Sequence, residues 1–184
     1  RKMINVFRDA GFEVEHEFED GVIAVSFAIE PTEASRAVAL SREHRAEAVS
    51  MRRVLHPSTV AVIGASRREE SVGGALVRHL QEGGFTGQVY VVNRAAEEVA
   101  GLRAWSRISE IGESIDLALI AVPAAEVPAV VRECAFAGVG SVVVVSSGFA
   151  EEGEEGAALQ RELLETARIH GLRVLGPNSF GLIN

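Results

Sequence analysis

A chain of 184 residues, 47% hydrophobic and 24% charged, is long enough for one ordinary domain with an appendage, or for two small ones, and too apolar to be disordered throughout. No apolar run approaches a bilayer span, Leu117 to Pro123 being among the longest. A net charge of −8 argues against broad contact with nucleic acid or a membrane surface, and the single cysteine, Cys134, excludes a disulfide scaffold or a thiolate zinc cluster and fits a reducing cytoplasm.

The chain opens Arg1, Lys2, Met3 and turns polar, with no secretory-signal pattern. Met3 to Ala10 predicts a short helix closed by Gly11. Glu13 to Phe18 alternates, and Val22 to Ile29 is rich in β-formers. The Asp20-Gly21 pair between them is a hairpin signal. Pro31-Thr32 ends the second strand, and Thr32 is placed to cap a charged helix from Glu33 to Val54. A hairpin and one helix bury little alone, so residues 1–56 read as the tail of a larger domain or a docking element.

From residue 57 onward, strand and helix alternate. Strands are predicted at Thr59 to Ile63, Gln88 to Val92, Ile115 to Val122, Gly140 to Val145 and Leu172 to Leu175. Helices are predicted at Gly73 to Glu82, Ala125 to Ala137 and Glu154 to His170. Continuous Val and Ile runs mark strands covered on both faces. The fold class expected is therefore α/β: a Rossmann-like, doubly wound parallel sheet of about five strands, with the hairpin and helix as an N-terminal appendage.

Ligands on such sheets bind beyond the carboxyl ends of the strands, so the segments after each strand hold the candidates. The first is Gly64, Ala65, Ser66 and Arg67, leading to a helix start at Gly73. Glycine lets a backbone approach closely, and a helix start offers N–H groups to a phosphate. The spacing is not GxGxxG, and a ligand-free turn would use similar residues. The second is Asn93-Arg94. No acidic residue follows this strand to hold ribose hydroxyls, which disfavours NAD. Arg94 suits a ribose phosphate, as in NADP or coenzyme A, or is a solvated loop arginine.

The third candidate segment is Val122-Pro123, which leaves room for a flat ligand or simply opens the next helix. The fourth is Ser146, Ser147, Gly148 and Phe149, a group that equally suits a helix start with Phe149 packed inward. The last is the turn from Gly176 to Gly181, with Asn178 at its centre.

Catalytic constellations are poor. None of the five histidines sits in a strand-end loop of the sheet, and Cys134 falls on an apolar helix face. No HExxH, GxSxG or P-loop pattern occurs. No metal site is expected.

Five segments in order, VAVIGAS from Val60 to Ser66, GQVYVVN from Gly87 to Asn93, DLALIAVP from Asp116 to Pro123, SSGFAE from Ser146 to Glu151 and GPNSFG from Gly176 to Gly181, resemble the CoA-binding domain of NDP-forming acyl-CoA synthetases, relatives of the succinyl-CoA synthetase α subunit. Val91 and Arg94 stand where that family usually has prolines, and Ser179-Phe180 where it often has Cys-Leu. Residues 1–56 resemble, over a shorter stretch, the closing helix, hairpin and exit helix of a GNAT-superfamily acetyltransferase. That resemblance rests on Gly11-Phe12, Val22 to Ile29 and Pro31-Thr32, and the GNAT acetyl-CoA loop is absent.

Together these resemblances imply a coenzyme A or acyl-CoA binding module at 57–184. Before it stands the remnant of an acetyltransferase domain at 1–56, in a protein-lysine acetyltransferase fusion whose synthetase-like part is regulatory. They imply ATP-grasp and further synthetase-like domains as partners, and no catalysis by this chain alone. The adenosine 3′,5′-diphosphate would lie against Gly64 to Arg67 and Asn93-Arg94. Pantetheine would cross Val122-Pro123 towards Ser147-Gly148-Phe149, with Asn178 at the far end. The alternatives are an NADP-binding domain and a fold that has lost its ligand and serves assembly, its hairpin edges open to a second copy.

Overall fold

A computed structural model describes residues 2–19, 22–28, 30, 32–68 and 70–179. The backbone divides into two compact units, Arg1–Val49 and Ser50–Asn184, taken separately below.

The first unit begins with α1 (Lys2–Asp9), which ends at Gly11, where φ is +85° and the N–H donates to the Arg8 carbonyl at 2.8 Å. Strands β1 (Val14–Glu19) and β2 (Val22–Phe27) pair antiparallel, with Val14 opposite Phe27. The predicted Asp20-Gly21 turn, Ile29 and Pro31 lie outside the described residues. Thr32 does cap the helix that follows, α2 (Glu33–Leu55): its Oγ1 accepts the Ser35 N–H at 3.0 Å. Phe27 packs against Phe7 and Phe12, with ring centroids 4.6 and 5.5 Å away. Among the described residues of this unit none is fully buried, and Phe18, Val22 and Ile23 stand exposed on the hairpin.

The second unit holds β3 (Thr59–Ile63), α3 (Val72–Glu82), β4 (Gln88–Val92), β5 (Glu98–Val99) and β6 (Leu102–Trp105). After these come β7 (Leu117–Ile120), α4 (Val127–Phe136), β8 (Ser141–Val144), α5 (Glu154–Ile169) and β9 (Arg173–Leu175). Among the described residues the sheet has seven strands rather than five, in the order β5-β6-β4-β3-β7-β8-β9. All pairings are parallel except that of β5 with β6. The two additional strands form a short edge hairpin through Ala100 and Gly101, both at positive φ.

Alternate side chains of each strand enter different cores. Val60 and Val62 of β3 join Val77 of α3 in one, while Ala61 and Ile63 join Val127 and Val131 of α4 and Leu163 of α5 in the other. That split is why the strands read as unbroken apolar runs. The order of strands reverses at β3: the chain proceeds outward through β4 and β6, then returns to place β7, β8 and β9 on the other side. The gap between the two directions of winding is the topological switch point.

Candidate functional site

At the switch point, beyond the ends of β3, β4 and β7, lies a cleft of about 210 Å³. Gly64 follows β3, Asn93 and Arg94 follow β4, and Val122 and Pro123 follow β7; all five line it. The apolar part of the wall comes from Ile63, Val92, Ile108 and Val130. Glu126 and Glu133 line it too, the latter from α4. Ser146 and Ser147 line a shallower neighbouring hollow that shares Val122 and Pro123 with the cleft.

Backbone proximity sets the shape of this region. Gly64 has φ +89°, and a Cβ there would strike the Ala121 carbonyl oxygen. Gly73, at the start of α3, is packed so closely on the loop that a Cβ would lie 2.5 Å from the Gly64 carbonyl oxygen. The first turn of α3 is capped by Ser71, whose Oγ accepts the Gly74 N–H at 3.1 Å. Ala65 and Gly73 are buried, so their part is this close packing and not contact through a side chain.

Asn93 lines the cleft with its side chain already engaged. Its Nδ2 donates to the Ala65 carbonyl at 2.5 Å, and its Oδ1 accepts the N–H groups of Ala95 and Ala96 at 2.7 and 2.9 Å. It therefore ties the β3 loop to the β4 loop. Ser146 does the same one strand further along, its Oγ donating to the Val122 carbonyl at 2.5 Å. Ser66 Oγ accepts the Arg68 N–H at 3.1 Å and keeps its own hydrogen to offer. Arg67 and Arg94 are exposed, and among the described residues nothing pairs with the Arg94 guanidinium.

The fourth and fifth loops contribute less. Phe149 is fully buried in the α4 and α5 core, so its ring is a packing element with no face left for a ligand. The Gly148 N–H donates to Glu151 Oε1 at 2.8 Å. Backbone N–H groups, its own first and then those of Gly148 and Phe149, hold the Glu151 carboxyl below the usual carboxylate range. Asn178 is exposed at φ 54°, its N–H donating to the Ser146 carbonyl at 3.0 Å. Ser66, Arg67, Gly148 and Asn178 lie outside both hollows, and Phe180 and Gly181 lie outside the described residues.

Among the described residues no group of three or more His, Cys, Asp or Glu side chains could hold a metal ion. Cys134 is fully buried, and burial, reinforced by the neighbouring Glu133 carboxylate, pushes its thiol from 9.0 to about 12. No described helix is long and apolar enough to cross a membrane. Glu133 was not among the residues singled out from sequence, although Glu126, Val130 and Glu133, spaced i, i+4 and i+7, mark one helical stripe.

Comparison with known proteins identifies the family of the second unit. Residues 58–184 match the family described as CoA binding domain. The chain is 46% identical over 134 residues to ADP-forming acetate–CoA ligase II of Archaeoglobus fulgidus, covering 73% of this chain and 20% of that protein. It is 41% identical over 139 residues to the α subunit of ADP-forming acetate–CoA ligase I of Pyrococcus furiosus, covering 73% and 30%. Among solved structures it resembles dinucleotide-forming acetyl-coenzyme A synthetase 1 of Ca. Korarchaeum cryptofilum, in complex with phosphate and ADP. That likeness has a TM-score of 0.68 and 40% identity over 71% of this chain and 28% of that one. The chain thus spans between about a fifth and a third of these relatives. With a match across well over half its length, the chain belongs to the CoA binding domain family and is homologous to the corresponding part of the NDP-forming acyl-CoA synthetase α subunit.

Proposed function

We propose that this chain binds coenzyme A or an acyl-CoA in the switch-point cleft. The observation that carries the reading is Arg94, without a partner among the described residues, lining a cleft with apolar walls where the sheet reverses its winding. The base would enter the cleft, and the phosphates would lie towards the loop from Gly64 to Arg67, within reach of Arg94. Pantetheine would leave across Val122 and Pro123, over the hollow of Ser146 and Ser147, towards Gly148 and Asn178. The carriers are Gly64, Ser66, Arg67, Arg94, Val122, Pro123 and Ser147, with Ala65, Gly73, Asn93 and Ser146 setting the backbone. Phe149 supports the loop from within.

In the same reading the chain is one module of a larger protein. It works with ATP-grasp and other synthetase-like domains, and the segment at 1–56 closes an acetyltransferase domain that the CoA module regulates. In this reading the module itself performs no bond-making step.

Calorimetric titration of the chain with CoA, acetyl-CoA and NADP in parallel tests the binding. Micromolar CoA affinity with NADP silent is expected. Replacing Ser66 and Arg94 together by alanine is expected to weaken CoA at least about tenfold, roughly 1.4 kcal/mol. NADP binding with CoA silent would replace this reading by a redox-cofactor one, and an unchanged double variant would overturn the placement.

A further inference from the structure

Glu133 carries an atom that nothing in the fold accounts for. Its Oε1 is shielded from solvent and has no hydrogen-bond partner among the described residues. A shielded carboxylate oxygen without a donor is unfavourable, because it loses water and gains nothing in return. The neighbouring Arg132 does not relieve it, since its guanidinium pairs with Glu162 Oε1 at 3.2 Å. Glu133 lines the cleft together with Val130, Ile108 and Val92. The lining of the cleft thus includes apolar side chains and one carboxylate, that of Glu133, with a shielded oxygen that lacks a donor among the described residues.

We propose that Glu133 is the residue that selects the base of the bound nucleotide, its carboxylate accepting a hydrogen bond from the exocyclic amino group of an aminopurine. The inference rests on the reading of the cleft as a coenzyme A site, and names the group that reads its adenine. An adenine ring fills an apolar slot with its faces and offers an N–H donor at its 6-position edge. A purine with a carbonyl at that position offers a second acceptor to the carboxylate, so two lone-pair-bearing oxygens meet in a place where water is excluded. A site built to accept a particular N–H rejects the analogue that lacks it, because its own buried group is then left unpaired. The effect expected for a charged acceptor is a preference of roughly tenfold to a hundredfold.

The test compares CoA with its deaminated analogue, in which hypoxanthine replaces adenine and all else is kept. Both are titrated calorimetrically into the 184-residue chain and into Glu133→Gln and Glu133→Leu variants whose thermal unfolding has been checked. The wild type is expected to prefer CoA at least about tenfold. Glu133→Gln preserves shape and offers either an acceptor or a donor, so the preference should shrink towards unity by gain of the analogue as well as loss of CoA. Glu133→Leu should bind CoA more weakly and show no preference. Equal binding of the two ligands by the wild type would overturn the role of Glu133 and leave the coenzyme A reading standing. Binding of neither would overturn both. A preference retained in Glu133→Leu would assign the selection to another group and overturn the proposal.

Discussion

Cys134 and Glu133 are consecutive on α4, yet one faces the core and the other the cleft. The thiol is raised to about 12 because a thiolate there would be desolvated and would sit beside a carboxylate. In the unfolded chain the same thiol ionises near its ordinary 9.0. Above that value the unfolded state binds fewer protons, so stability falls as pH rises from 9.0 towards about 12 and is unaffected by this group below 9.0. Urea unfolding between pH 8 and 11 is expected to show wild type losing up to about 1.4 kcal/mol per pH unit relative to Cys134→Ala. Parallel pH profiles would show that the thiol is not the buried acid described. At this scale the sequence was informative about Cys134, since an apolar helix face predicts a packed thiol. It was silent about Glu133, because a lone glutamate on a helix reads as solvated until the loops beside it are in place.

Among the elements, the strand starts are secured by three side chains. Asp116 Oδ2 accepts the N–H groups of Ser58 and Thr59 at 2.8 and 3.2 Å, while Thr59 Oγ1 donates to the Ser114 carbonyl at 2.8 Å. Ser141 Oγ adds a bond to the Asp116 carbonyl at 3.0 Å. This set lies at the amino ends of β3, β7 and β8, away from the cleft. Asp116→Ala is expected to lower stability by about 2 kcal/mol, read as a shifted urea midpoint with an unchanged slope, and to leave ligand affinity unaltered. A loss of affinity with stability intact would contradict that division of labour. Strands β3, β4, β7, β8 and β9 were legible because apolar runs rich in β-formers have few other readings. The hairpin of β5 and β6 was not, because its turn places Ala100 at φ 50° where Asn or Asp would announce the conformation. Phe149 shows the same limit: a ring beside Ser and Gly suits ligand and core equally until burial decides.

Across the whole molecule, two units of unequal quality share one chain. The second has two cores on a seven-stranded sheet; the first has a small aromatic contact and much exposed apolar surface. The final turn of α2 belongs to the second unit: Val54 is buried, and the Arg53 side chain lies so near Gly140 that a Cβ there would be 2.9 Å from its Cδ. A fragment of residues 50–184 is therefore expected to unfold cooperatively and to exceed a 57–184 fragment in stability by roughly 1.5–3 kcal/mol, the value of one buried aliphatic side chain. Equal stability of the two would show that this turn contributes nothing. The fold class and the order of the strand-end loops could be read from residue types alone. Which loop residues face the cleft could not, because that depends on hydrogen bonds such as those of Asn93 and Ser146, made between residues far apart in sequence. Those two side chains have a consequence for binding itself. Each fastens one strand-end loop to its neighbour before a ligand arrives, so the mouth is preorganised. A ligand that fits has little loop disorder to overcome, and one of the wrong shape meets a rim with little freedom to accommodate it.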